Sequence, residues 1–216
     1  GGPVPIVVGL SLYDLLEGDG SVRPGPAEGR AAAESATPTV DAPVPTGPVG
    51  AGTGATVGTW RGRDHARPGG LGVAVVAHGS LTVAVVVAVN AAGDIGDPAT
   101  STAVADGVFR GWPDSGDLFT APPVAGAEAG SRGNTTIGAV VTDAALTKGE
   151  CLLLAQSAHD GLARAVFPPH MRSDGDAFVA AATGTVPRGN GDGGADLDVL
   201  RVLTVAAVEQ AVVRAC

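Results

Sequence analysis

Gly133-Asn134-Thr135-Thr136-Ile137-Gly138-Ala139-Val140-Val141-Thr142-Asp143-Ala144 is a loop ending in Gly-Asn that runs into a β-branched stretch. Thr favours strands and Asn favours turns, so the reading is a strand over Thr135–Thr142 entered from a turn. Next, Thr147-Lys148-Gly149-Glu150 has the form of a capping box, with Thr at the N-cap and Glu three residues later. The helix it opens carries Cys151, Leu154, Ala155, Ala158 and Leu162 on one stripe and runs to about Val166, where Pro168 and Pro169 stop it. Asp176–Val186 reads as a further strand and Gly189–Gly194 as a flexible turn. Asp196–Ala215 reads as a second amphipathic helix, with Leu200, Leu203, Ala207, Val208 and Ala211 facing inward.

Working outward, Leu71–Ala77 and Leu81–Ala91 are Val-rich runs joined by His78-Gly79-Ser80, which predicts a hairpin. Val4–Gly9 reads as a short buried strand, and Leu10–Leu16 as either a strand end or a helix start. Gly18–Pro48 reads as a long surface excursion with a helical turn or two around Ala27–Ala36. Gly50–Trp60 is rich in glycine, Arg61–Gly70 is a polar turn, and Asp94–Pro123 reads as loop. Strands followed by helices without strict alternation predict layered α+β packing in a single domain over residues 1–216.

The chain is 44% hydrophobic and 16% charged, which excludes disorder as its main content. Ala and Val supply the apolar mass and aromatics only 3%, so the core is built of small side chains suited to a sheet covered by helices. With 22 acids against 13 bases the net charge is −9, and the single lysine, Lys148, leaves no basic run, so nucleic acid is excluded as a partner. Cys151 and Cys216 read as a core thiol and a terminal thiol rather than a bridge. The longest apolar stretch, Leu81–Val89, falls far short of the roughly 20 residues of a membrane helix, so no membrane partner is expected. The start at Gly1-Gly2 without a methionine suggests a fragment or a processed product.

The chemistry centres on Thr135. A threonine hydroxyl is a weak nucleophile without a neighbouring base. If the Asn134–Thr135 bond breaks, the freed α-amine, with an ordinary pKa of about 7.7–8.0, becomes that base. Downstream, Asp174-Gly175-Asp176 places two carboxylates at alternate positions just before a strand, so both can face one site and share a proton. Read alone, Asn-Thr-Thr fits an ordinary turn-to-strand junction, and the two acids fit a solvated Asp-Gly turn.

Taken together, Gly133–Gly138, Thr142-Asp143-Ala144, His159-Asp160-Gly161-Leu162-Ala163-Arg164-Ala165 and Asp174-Gly175-Asp176 resemble the L-aminopeptidase/D-esterase family, which includes β-aminopeptidases and nylon-oligomer hydrolases. The order and spacing are most similar to its threonine-type members. The resemblance implies an αββα sandwich that looks like the Ntn hydrolases but is wired differently. Family members carry further residues ahead of the region that Gly1 matches. The resemblance also implies cleavage before Thr135 into residues 1–134 and 135–216, Thr135 as nucleophile, and Asp174 and Asp176 completing its activation. In the first half, Pro5–Asp14 resembles the segment with a site tyrosine (Tyr13), Val49–Gly58 the glycine-rich loop, and Ala88–Ala91 with Gly93–Ile95 the strand end with a site asparagine (Asn90). An Asn90 amide donating to an oxyanion would contribute about 2.7–4 kcal/mol. Tyr13 also fits a core aromatic, and Asn90 a strand-end cap.

One departure stands out: threonine-type relatives can carry a lysine just after the glycine-rich loop, where this chain has Thr59 and Trp60. The expected activity is hydrolysis of small peptides, amides or esters without metal or cofactor, by a cytoplasmic homo-oligomer. The alternative is a non-catalytic scaffold that keeps the sandwich. Gly50-Ala51-Gly52-Thr53-Gly54-Ala55 fits a loose dinucleotide pattern but lacks the flanking strand, helix and acid. Ser157, His159 and Asp160 share one helix at a spacing that does not form a triad. His65, His78 and His170 show no metal-ligand spacing.

Overall fold

A computed structural model of the chain describes Gly2 and residues 7–36, 43–112, 133–189 and 195–216. The predicted hairpin is present as β3 (Gly70–His78) and β4 (Leu81–Asn90), preceded by two short strands, β1 (Thr56–Val57) and β2 (Arg67–Pro68), which pair with each other. After it come β5 (Asp94–Ile95), β6 (Thr135–Ala144), β7 (Val166–Phe167) and β8 (Ala177–Val186). The main sheet has the order β3-β4-β6-β8, antiparallel except for the parallel β6/β8 pair. The helices are α1 (Pro26–Ser35), α2 (Pro98–Ala105), α3 (Lys148–Ala165) and α4 (Leu197–Arg214).

The capping box forms as read: the Thr147 hydroxyl accepts from the Glu150 amide, and Glu150 accepts from the Thr147 amide at 2.8 Å. Asp196 caps α4 by accepting from the amides of Asp198 and Val199. Helix α3 connects the parallel strands β6 and β8, and α3 and α4 pack together against the sheet. Leu154, Ala158 and Leu162 from α3 and Leu200, Ala207, Val208 and Ala211 from α4 meet Val83, Val85, Val87 and Val140 there. Small residues set the closeness: a Cβ at Gly72 would lie 1.9 Å from the Ala211 carbonyl oxygen, so α4 rests directly on β3. Leu154, Leu162 and Leu200 are fully buried, and truncating any of them to alanine should cost about 2–5 kcal/mol.

Strand alternation sends Val75, Val86 and Val141 to the opposite face of the sheet, where they are 60%, 43% and 40% exposed. The described residues thus supply one helical layer and one sheet of the layered α+β fold.

Three readings change. Val7 and Val8 are exposed and Val7–Asp14 forms no strand or helix, so the described part of the Val4–Gly9 segment is not a buried strand. It pairs with no strand among the described residues, and an apolar run alone does not supply a partner. The expected loop from Asp94 contains β5 and α2, the latter started by Asp97, which accepts from the Ala99 amide, and by Pro98 at its first position. Cys151 is only half-buried on its stripe. Residues 113–123 of that loop and 190–194 of the Gly189–Gly194 turn lie outside the described residues, as does Pro3–Ile6. The surface helix expected near Ala27–Ala36 is present as α1, which buries no side chain.

Candidate active site

The end of β4 and the starts of β6 and β8 lie at one end of the sheet, because β6 runs antiparallel to β4 and parallel to β8. Thr135 and Asn90 are register partners there, both buried, and directly paired residues share a face. That face is the one α3 and α4 do not cover.

Just before β6, Asn134 forms a bridge with Asp174. The Gly175 amide donates to the Asn134 carbonyl oxygen at 2.9 Å, and the Thr135 hydroxyl donates to the same oxygen at 2.5 Å. Two donors thus converge on the acyl oxygen of the Asn134–Thr135 bond. The tight turn between the two acids supplies one, and the residue on the far side of the bond supplies the other. Such an arrangement polarises the carbonyl toward attack and holds the hydroxyl beside it.

The two aspartates hold the flanking backbone. Asp174 accepts from the amides of Ala92 at 3.0 Å and Met171 at 2.8 Å. Asp176 accepts from the Thr136 amide at 2.7 Å, and its other oxygen lies 2.8 Å from His170 Nδ1. Burial pushes the Asp174 carboxyl up to about 6; the neighbouring Asp176 adds to this, while the two amides and His170 oppose it. The Asp176 side chain is enclosed, only 4% exposed. Burial also lowers the pKa of His159, whose ring lies 5.1 Å from that of His170. The Thr136 side chain is fully buried, and among the described residues its hydroxyl has no partner.

Asn90 is held from both ends. Its Oδ1 accepts from the Thr56 amide at 2.9 Å, and its Nδ2 donates to the Tyr13 carbonyl oxygen at 2.9 Å. Tyr13 therefore joins the site through its backbone. Close packing accompanies this: a Cβ at Gly54 would lie 2.5 Å from the Asp14 carboxylate, so the Asp14 side chain rests directly on the glycine-rich segment. Among the described residues, the Tyr13 carbonyl oxygen is the acceptor that Asn90 Nδ2 meets.

All five residues singled out in the sequence, Tyr13, Asn90, Thr135, Asp174 and Asp176, together with Asn134, gather at this end of the sheet. Sequence reasoning missed Thr59, whose hydroxyl donates to Asn134 Oδ1 at 3.0 Å across 75 positions, as well as His170 and the Gly175 amide. The position of His170 six residues before Asp176 was a signal of sorts; for Thr59 the signal was its place just after the glycine-rich loop, where threonine-type relatives can carry a lysine. Among the described residues no cluster of three His, Cys, Asp or Glu is arranged to hold a metal ion, and no helix is long and apolar enough to cross a membrane. Ser157 accepts from Arg201 at 2.9 Å and is part of a helix contact, not a triad.

Known proteins share this arrangement of chain. An uncharacterized aminopeptidase of Mycobacterium leprae is 39% identical over 203 residues, covering 86% of this chain and 51% of the relative. A 6-aminohexanoate-oligomer endohydrolase of Kocuria sp. is 32% identical over 189 residues, covering 82% of this chain and 50% of the relative. The chain therefore spans about half the length of the curated relatives it matches. Among solved structures, a Burkholderia sp. beta-aminopeptidase superposes with a TM-score of 0.62 at 29% identity, covering 94% of this chain and 54% of that one. The L-aminopeptidase D-Ala-esterase/amidase of Ochrobactrum anthropi, described as a new variant among the Ntn hydrolase fold, gives a TM-score of 0.56 at 24% identity, over 88% of this chain and 48% of that one. The model of peptidase family S58 matches residues 3–216. With a match of that extent on a fold shared with these aminopeptidases, the chain belongs to peptidase family S58, the L-aminopeptidase/D-esterase lineage that its Thr135 segment resembles.

Proposed function

We propose that this chain is the core of a self-processing amide hydrolase whose nucleophile is Thr135, with residues 1–134 and 135–216 as its two products. The observation that carries this is the pairing of the Gly175 amide and the Thr135 hydroxyl on the Asn134 carbonyl oxygen. Family membership and relatives named as aminopeptidases and as a 6-aminohexanoate-oligomer endohydrolase support the same chemistry.

In self-cleavage, Thr135 Oγ bonds to the Asn134 carbonyl carbon and negative charge collects on the oxygen that Gly175 N–H already holds. The C–N bond breaks, and the hydroxyl proton ends on the departing nitrogen. Water then splits the resulting ester: its OH leaves with Asn134 as a carboxylic acid, and its proton restores the Thr135 hydroxyl. The freed α-amine is the base for turnover. It takes the Oγ proton as Oγ attacks a substrate carbonyl, passes it to the leaving amine or alcohol, and then activates water against the acyl-enzyme. Asp176 holds the Thr136 amide beside Thr135, Asp174 holds the amides of Ala92 and Met171, and the pair supplies negative charge near the ammonium form of Thr135. The second hydrogen of Asn90 Nδ2 donates to the substrate oxyanion, and Tyr13 fixes Asn90 through its carbonyl. Substrates are short peptides and related small amides or esters, and the protein works as a homo-oligomer.

Thr135→Ala should abolish both self-cleavage and hydrolysis of an aminoacyl p-nitroanilide while leaving the circular-dichroism spectrum intact. Hydrolysis retained in that variant would remove Thr135 from its role, whereas a parent chain that neither cuts itself nor hydrolyses the substrate would favour the scaffold reading.

A further inference from the structure

Asp94 is a buried carboxylate that the reaction above does not use. It collects three donors: the Trp60 indole N–H at 2.7 Å, Arg61 at 3.0 Å and Arg67 at 3.2 Å. Trp60 and Arg61 belong to the 3₁₀ turn Thr59–Arg61. The backbone of that turn is pinned to the segment after β4 on both sides of Thr59: the Gly58 amide donates to the Gly93 carbonyl at 2.9 Å, and the Trp60 amide to the Ala92 carbonyl at 3.0 Å. Phe109 stacks on the outer side of Trp60 at 5.4 Å and Phe167 meets its edge at 6.4 Å. A carboxylate with this many partners, under an aromatic cover, makes a rigid arm. The one side chain of the turn that points away from this anchor to another element is Thr59, and its hydroxyl reaches Asn134 Oδ1 at 3.0 Å.

Asn134 is the acyl half of the bond that self-cleavage must break. Its backbone is held by the turn at 173–175, but its side chain is held by Thr59. Tethering the carboxamide to the arm restrains the Asn134 Cα that carries the acyl group, and so limits how that group can swing away as Oγ approaches. Rate in such an intramolecular attack depends steeply on the orientation of the reacting atoms.

We propose that Thr59, presented on the arm anchored by Asp94, is a positioning residue for self-cleavage that acts by holding the Asn134 side chain on the acyl side of the scissile bond. The proposal rests on the reading of Asn134–Thr135 as the cleaved bond. It assigns Thr59 to processing alone, because Asn134 is a chain end after cleavage and is replaced by each new substrate.

The test follows processing of freshly purified full-length protein by intact mass, and turnover of a small aminoacyl p-nitroanilide per free Thr135 amine. Thr59→Ala should slow processing about tenfold, the scale of one lost hydrogen bond, whereas Thr59→Ser, which keeps the hydroxyl, should stay within about threefold of the parent. Asn134→Ala should slow processing to a similar extent, and the Thr59→Ala/Asn134→Ala double variant should be no slower than the slower single one, as expected when both remove the same contact. Once processed, Thr59→Ala sites should show the parent KM and pH profile. Parent-like processing in Thr59→Ala overturns the proposal alone, as does additivity in the double variant or a loss of turnover that matches the loss of processing. A parent chain that stays whole overturns the reading beneath it as well.

Discussion

Two regions grip the Asn134–Thr135 junction, and they differ in how they do it. The turn at 173–176 lies at the start of β8, beside β6 in the same sheet, and acts on backbone groups: the Gly175 amide on the Asn134 carbonyl, and the two aspartates on the amides of Ala92, Met171 and Thr136. The arm at 56–61 comes from outside that sheet and works through side chains, Thr59 on Asn134 and Asp94 on the arm itself. The difference teaches that a short local motif can be read because strand geometry fixes what it does. A long-range hydroxyl contact leaves no trace in spacing or periodicity.

The comparison breaks most visibly at Asp176. If the turn at 173–176 is the stronger grip, Asp176→Asn should slow both self-cleavage and turnover by about a hundredfold, the scale of a positioned acid–base group. Asn can keep the bond to the Thr136 amide but replaces an acceptor by a donor opposite His170. Unchanged rates in both assays would return the pair of acids to a structural turn.

A smaller effect sharpens the contrast at Asp174. Its folded pKa is raised to about 6 from 3.8, so between these values the folded state holds a proton that the unfolded chain has released. Stability from this group is therefore full below about pH 4 and falls as pH rises through about 6. Asp174→Asn removes that dependence. The melting temperature of the variant relative to the parent should be higher at pH 7.5 than at pH 4.5, measured by calorimetry at both. An equal difference at the two pH values would mean that the carboxyl carries no burial cost.

The second half of the fold was legible because its signals are local. Thr147 and Glu150 announce the start of α3, Asp196 stands where α4 begins, and the stripes of Leu and Ala point to the faces that are buried. The hairpin was legible for the same reason, as two Val-rich runs need only a short connection to pair. Val7 and Val8 misled because an apolar run does not say whether a partner strand exists. Helix α2 was hidden inside a stretch dominated by Pro, Gly and Asp, although Asp97-Pro98 is a sound helix start. At the candidate site, Thr135, Asp174 and Asp176 were singled out from motif and resemblance, and the fold brings them together. What could not be found was how Asn90 and Tyr13 connect: strand-end position suggested an amide aimed at substrate, whereas Nδ2 holds the Tyr13 backbone. Asp94 sat in the resemblance as part of a strand end, with no hint that it anchors Trp60, Arg61 and Arg67.

The most direct measurement is the intact mass and N-terminal sequence of the purified full-length protein after incubation near pH 8. Two species, one of them beginning at Thr135, are predicted. A single uncut chain, or a new N-terminus at any other residue, would contradict the account.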